Sequence, residues 1–109
     1  MRAAIYCRVD QGGNSEMRRE VLKFQRFRLE RYALRHNIQI AGYYEDRGYP
    51  GYLTERPGLA RLINDCLEGQ FDTVLVVNHD RLYRGKRYIA PQWPFQIWAI
   101  NQPQRNMER

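Results

Sequence analysis

Cysteine is scarce: Cys7 and Cys66 are the two in 109 residues. That rules out a disulfide scaffold, and both are read as small apolar core residues in a reducing compartment. No apolar run approaches the roughly 20 residues of a membrane-spanning helix, and the first residues lack a signal-peptide pattern. A cytoplasmic protein without membrane contact is therefore expected. Lysine is nearly missing as well. Of 18 basic residues, Lys23 and Lys86 are lysine and the other 16 are arginine. Ser15 is the only serine, so a serine-dependent chemistry has one candidate in the chain. Internal repeats, low-complexity stretches and linkers do not occur. His36 and His79 have no further ligands at useful spacing, so no metal is expected, and no cofactor motif is present.

What remains is an ordinary folding composition. Hydrophobic residues make up 43% and charged residues 28%, a balance that favours a folded chain over a disordered one. The length suits a single domain over 1–109 that buries roughly 65% of its unfolded surface. The net charge is +6, the isoelectric point is near 9.7 and the mean hydropathy is -0.75. Arginine binds phosphate through a planar fork where lysine is a point charge. A basic, arginine-rich domain points to a polyanion, most often nucleic acid. The plainer alternative is a solvated surface.

Along the chain, Arg2–Val9 reads as a strand, apolar on both faces, that breaks at the polar loop Asp10–Ser15. A helix is expected over Arg19–His36, with Leu22, Gln25, Leu29, Tyr32, Ala33 and His36 on one stripe and Asn37 as a stop signal. Ile38–Tyr44 reads as a second strand and 45–51 as a turn-rich loop. Pro57 suits the first position of a second helix, whose stripe is Leu59, Leu62, Ile63, Cys66 and Leu67, ended by Gly69. Phe71–Val77 holds a central third strand, and Asn78–Arg87 is polar and basic. Pro91 and Pro94 forbid a long helix, Phe95–Ile100 reads as a short last strand, and 101–109 is a polar tail. Trp93 and Trp98 are assigned to core packing, with a partner surface as the alternative.

Strand–helix–strand–helix–strand predicts right-handed crossovers and an α/β fold, a mostly parallel sheet of four to five strands flanked by helices in three layers. In such sheets ligands bind at the carboxyl ends of the strands. Three segments lie there: 8–15, 45–56 and 78–87. All three carry arginines.

Those segments read Y-C-R-V-D at 6–10, E-R-P-G-L at 55–59 and D-R-L-Y-R at 80–84. Together they resemble the catalytic domain of the serine recombinases, the resolvase/invertase family, whose patterns are Y-x-R-V-S, D-R-P-G-L and D-R-L-x-R in that order. The resemblance covers roughly residues 2 to 88. It implies a resolvase-like fold and a site-specific recombinase chemistry linked to DNA recombination and mobile elements. A serine hydroxyl attacks a phosphodiester without metal and forms a phosphoserine link. Such a transfer is mostly positioning plus neutralisation of oxygen charge, which suits arginine. By resemblance, Arg8, Arg81 and Arg84 surround the phosphate, Arg56 is the fourth arginine, and Asp80 orients them or assists proton transfer. Tyr6 and Gln25 are supporting residues. Taken singly, Arg8 reads as a surface ion pair, Asp80–Arg81 as a turn, and Gln25 as a core amide.

The nucleophile position holds Asp10. At about 4 Å and an effective dielectric of 20, a carboxylate and a phosphate repel by about 4 kcal/mol. Asp10 is therefore expected to pair with Arg8, Arg81 or Arg84, to take the phosphate's place and to leave the domain unable to cleave. Ser15 is a weak alternative nucleophile; as a plainer role it caps the first helix. Compared with the family, the first helix begins late, and the segment after Arg84 is short, so no C-terminal DNA-binding domain is expected. Expected partners are DNA, bound weakly by the domain alone, a second copy, or a full-length recombinase. The alternative reading is a non-catalytic interaction module that regulates a recombinase or binds a phosphate ligand. A receiver or flavodoxin-like domain fits the element order but lacks the acidic cluster and the glycine-rich loop.

Overall fold

The computed structural model describes residues 1–85 and 91–101. Among these residues four strands and two α-helices alternate: β1 (Arg2–Val9), α1 (Ser15–Arg35), β2 (Gln39–Arg47), α2 (Pro57–Leu67), β3 (Thr73–Val76) and β4 (Gln96–Ala99), with a 3-10 turn at His79–Arg81. The sheet order is β2-β1-β3-β4 and every pairing is parallel. β1 and β3 are the interior strands, and their near-continuous apolar sequences follow from burial on both faces.

Side-chain alternation divides the core in two. Ala3, Ile5 and Cys7 of β1, with Leu75 of β3, face Leu22, Leu29 and Ala33 of α1. Ala4 and Tyr6, with Val74 and Val76, face Leu59 and Leu62 of α2. The result is a three-layer α/β/α arrangement. No helix among the described residues is long and apolar enough to cross a membrane.

Several boundaries differ from expectation. α1 begins at Ser15, four residues earlier than Arg19. Asn14 caps it, its side chain accepting from Met17 N at 2.8 Å, while Ser15 is the first helical residue and caps nothing. His36 leaves the expected stripe: it ends α1, is exposed, and stacks on Tyr32 at 4.2 Å between ring centroids. Asn37 takes the left-handed conformation (φ 55°) that ends the helix. β2 continues through Glu45–Arg47, where a loop is expected, because these residues pair in register with Cys7, Arg8 and Val9. Leu67 is exposed at the last turn of α2 rather than on its buried stripe. The last strand is two residues shorter than expected. Trp93 stacks on Phe95 and Trp98 meets Tyr32 edge-on, both half-buried. Lys86 and Arg87, and the tail beyond Asn101, lie outside the described residues.

Candidate active site

β1 and β3 end side by side, and the segments that follow them interlock. Arg8, the eighth position on the chain, is 0% exposed. Its Nε donates to Arg81 O at 2.8 Å, one terminal nitrogen to Tyr49 O at 2.8 Å and the other to Asp80 O at 2.6 Å. Arg81 returns the contact, its Nη1 donating to Arg8 O at 2.8 Å. Gln25 of α1 completes the strand end. Its Oε1 accepts from Arg8 N at 3.2 Å and its Nε2 donates to Arg8 O at 2.9 Å. Gln25 is thus a buried amide satisfied by the backbone of a strand whose ladder on the β3 side has ended by Ile5.

Asp10 turns back onto this cluster. Its carboxylate accepts from Arg8 Nη1, and its other oxygen lies 3.7 Å from Arg84 Nη1. Asp80 holds the second pair of basic side chains, accepting from Arg81 Nε at 3.0 Å and from Arg84 Nη2 at 3.1 Å. Burial raises the Asp80 carboxyl's pKa, but the hydrogen bonds and charges of Arg81 and Arg84 outweigh it and hold the carboxyl below the usual aspartate value. Arg84 is raised in turn by its bond to Asp80 and by the charges of Asp80 and Asp10. The five charges Arg8, Asp10, Arg84, Asp80 and Arg81 form an alternating chain. Its basic members Arg8 and Arg81 are turned inward; Arg84, 55% exposed along its side chain, faces solvent.

Arg56 stands apart from that chain. It is 1% exposed and lies over the Tyr6 ring with its guanidinium carbon 5.7 Å from the centroid. It donates to Leu82 O and, at 3.5 Å, to Gly51 O. Its Nε has no hydrogen-bond partner and is 3.9 Å from Asp46. Burial lowers its pKa. Tyr6 donates to Asp46 Oδ2 at 2.7 Å, and its pKa is pushed far up by burial. Ser15 is exposed at the start of α1 and makes no hydrogen bond or ion pair with Arg8, Arg81 or Arg84.

Two residues absent from the sequence reading matter to this geometry. Asp46, 2% exposed, accepts from Gly58 N at 2.7 Å, from Leu59 N at 2.9 Å and from Tyr6. It caps α2 from a neighbouring strand. Its one legible signal is its phase: it follows Tyr44 by two residues, so a longer β2 turns it inward. Gly51 packs against the arginines. A Cβ there would stand 2.7 Å from Arg8 Nη2 and 2.8 Å from Arg84 Cβ, and its carbonyl accepts from Arg84 N at 3.0 Å.

The profile of the family described as "Resolvase, N terminal domain" matches residues 3–90. Among solved structures, the N-terminal catalytic domain of TP901-1 integrase is 40% identical with a TM-score of 0.64, covering 78% of this chain and 60% of that one. The C-terminal catalytic domain of ISC1926 TnpA, an IS607-like serine recombinase, is 27% identical with a TM-score of 0.77, covering 94% and 72%. A resolvase-family site-specific recombinase from Streptococcus pneumoniae is 25% identical with a TM-score of 0.62, covering 77% and 57%. The chain thus spans less than two thirds of the integrase domain it matches. No curated protein sequence matches it. With the sheet, the strand-end arginines and 88 matched positions in agreement, the chain belongs to the resolvase N-terminal domain family and has the catalytic-domain fold of the serine recombinases.

Proposed function

We propose that this is a serine-recombinase catalytic domain of DNA recombination in which Asp10 stands at the nucleophile position and blocks strand cleavage. The carrying observation is the Asp10 carboxylate, which accepts from Arg8 and faces Arg84. An anion in that position satisfies the arginines internally, and a DNA phosphate has to displace it against like-charge repulsion. In the reading by resemblance, Arg8, Arg81 and Arg84 neutralise the phosphate, Asp80 sets the orientation of Arg81 and Arg84, and Tyr6, Gln25 and Arg56 support the strand ends. A serine at position 10 would supply the missing step. Its oxygen bonds to phosphorus, its proton leaves to a base, and the displaced deoxyribose oxygen departs as a hydroxyl.

Nicking of supercoiled DNA tests this with the natural protein, Asp10→Ser and Ser15→Ala. Cleavage is expected from Asp10→Ser alone, with a covalent protein–DNA link. Cleavage by the natural protein that Ser15→Ala abolishes would overturn the assignment of Asp10.

A second reading has its own support. Arg8 and Arg56 are almost wholly buried; Arg8 donates to three backbone carbonyls and Arg56 to two. Such arginines hold loops together whatever the chemistry, which suits a non-catalytic module pairing with a full-length recombinase, with a second copy, or with a phosphate ligand. A lack of cleavage in every variant, alongside saturable binding to a full-length recombinase, favours this reading.

A further inference from the structure

The α1 helix carries apolar residues on two sides. Leu22, Leu29 and Ala33 are buried against the sheet, yet Phe24 is 62% exposed and Phe27 53% exposed. These two phenyl rings share the outward stripe with Arg28, Arg31 and Arg35, at helical spacings of three and four residues. Together with Ile100, beyond the end of β4, these side chains line an open groove of about 430 Å³. Arg28 lies 5.9 Å from the Phe24 ring centre and Arg31 lies 5.6 Å from that of Phe27. Among the described residues none of these three arginines has a carboxylate partner; Arg28 donates instead to the Asn101 side chain. The nearest acids of α1 are Glu20, one turn before Phe24, and Glu30, which is held on another side by Arg26 and Tyr43.

We infer that this face of α1 binds single-stranded nucleic acid, with Phe24 and Phe27 stacking on unpaired bases and Arg28, Arg31 and Arg35 following the phosphates. The charge is complementary to a polyanion, and an interleaved set of arginines and exposed rings is the physical form of a stacking platform. Duplex DNA fits less well because its base faces are already stacked, leaving the two phenyl rings without a partner. A second copy of the chain fits less well because two-fold pairing of this face brings arginines against arginines. The residues that line the groove include none of the Arg8–Asp10 cluster, so the inference does not depend on how that cluster works.

Fluorescence anisotropy of labelled oligothymidylate, against a duplex of equal length and across a salt series, tests it. The natural protein is expected to prefer the single strand. Phe24→Ala with Phe27→Ala is expected to weaken single-strand binding about tenfold or more while changing duplex binding little. Arg31→Gln with Arg35→Gln is expected to flatten the salt dependence. Both phenylalanines are largely exposed, so circular dichroism is expected to show the fold retained. Leu67→Ala, an exposed change at the last turn of α2, serves as the control that leaves single-strand binding unchanged. Equal single-strand and duplex affinity, or no response to the phenylalanine changes, would overturn the inference. So would sedimentation showing a dimer that those changes dissociate while nucleic-acid binding persists.

Discussion

Arg8 does most of its bonding inward. Three backbone carbonyls, from Tyr49, Asp80 and Arg81, take hydrogen bonds from its guanidinium, and Asp10 takes another. These carbonyls come from two separate segments, the loop after β2 and the 3-10 turn after β3, so one side chain ties the end of β1 to both. Lysine offers three donors on a compact head and cannot span the same fork. Arg8→Lys therefore leaves at least one buried carbonyl unpaired and loosens the hold on Asp10. The expected loss is about 3 kcal/mol, at about 1–3 kcal/mol per unsatisfied group, read as a lower urea midpoint with unchanged slope. A variant as stable as the natural protein would show that the loops hold each other without Arg8. The site was legible in the sequence as far as motif and strand end could carry it: Arg8, Asp80, Arg81 and Arg84 do converge. Their burial was not legible. An arginine in a strand reads equally as a surface charge, and the carbonyls that draw Arg8 inward belong to residues more than forty positions away.

The α2 helix shows the same limit at its first turn. Pro57 at its start and Gly69 after its end are local signals, and both are used as expected. The cap is not local. Asp46 reaches from β2 to Gly58 N and Leu59 N, a contact visible only once β2 is known to extend past Tyr44. This contact also explains Gly58. Alanine is favoured over glycine inside a helix by about 1 kcal/mol. A Cβ at position 58, however, would run into the backbone carbonyl of Glu45 and stand 2.9 Å from Asp46 Oδ2. Backbone cannot step aside cheaply, so Gly58→Ala is expected to destabilise by about 1–3 kcal/mol, opposite in sign to propensity. Chemical denaturation of Gly58→Ala against the natural protein measures it, and a gain in stability would show that α2 docks more loosely than described. The misjudged start of α1 has a similar origin. Asn14 and Ser15 are both good caps, and only the hydrogen bond from Met17 N decides between them.

Both faces of the sheet bury weak acids in their neutral form, and that gives the fold a pH limit. Burial, aided by the nearby Glu45 charge, pushes the Cys7 thiol from 9.0 up to about 12. Burial and a hydrogen bond to Asp65 push Tyr44 from 10.0 up to about 12, and burial raises Tyr6 further still. The unfolded chain ionises these groups at their ordinary values, so above those values the folded protein binds more protons than the unfolded one. Stability then falls as pH rises, by up to about 1.4 kcal/mol per pH unit for each such group. The thiols act first, from about pH 9, and the phenols add from about pH 10. Urea midpoints are expected to stay level below about pH 9 and to drop with increasing slope toward about pH 11. Cys66 shifts in the same direction through burial, so replacing both cysteines with alanine is expected to move the onset to about pH 10. The alanine change at Cys7 also costs packing, which lowers the midpoint equally at every pH and leaves the onset readable. Midpoints that stay level to about pH 11 would mean that Cys7, Tyr6 and Tyr44 ionise as easily in the fold as outside it.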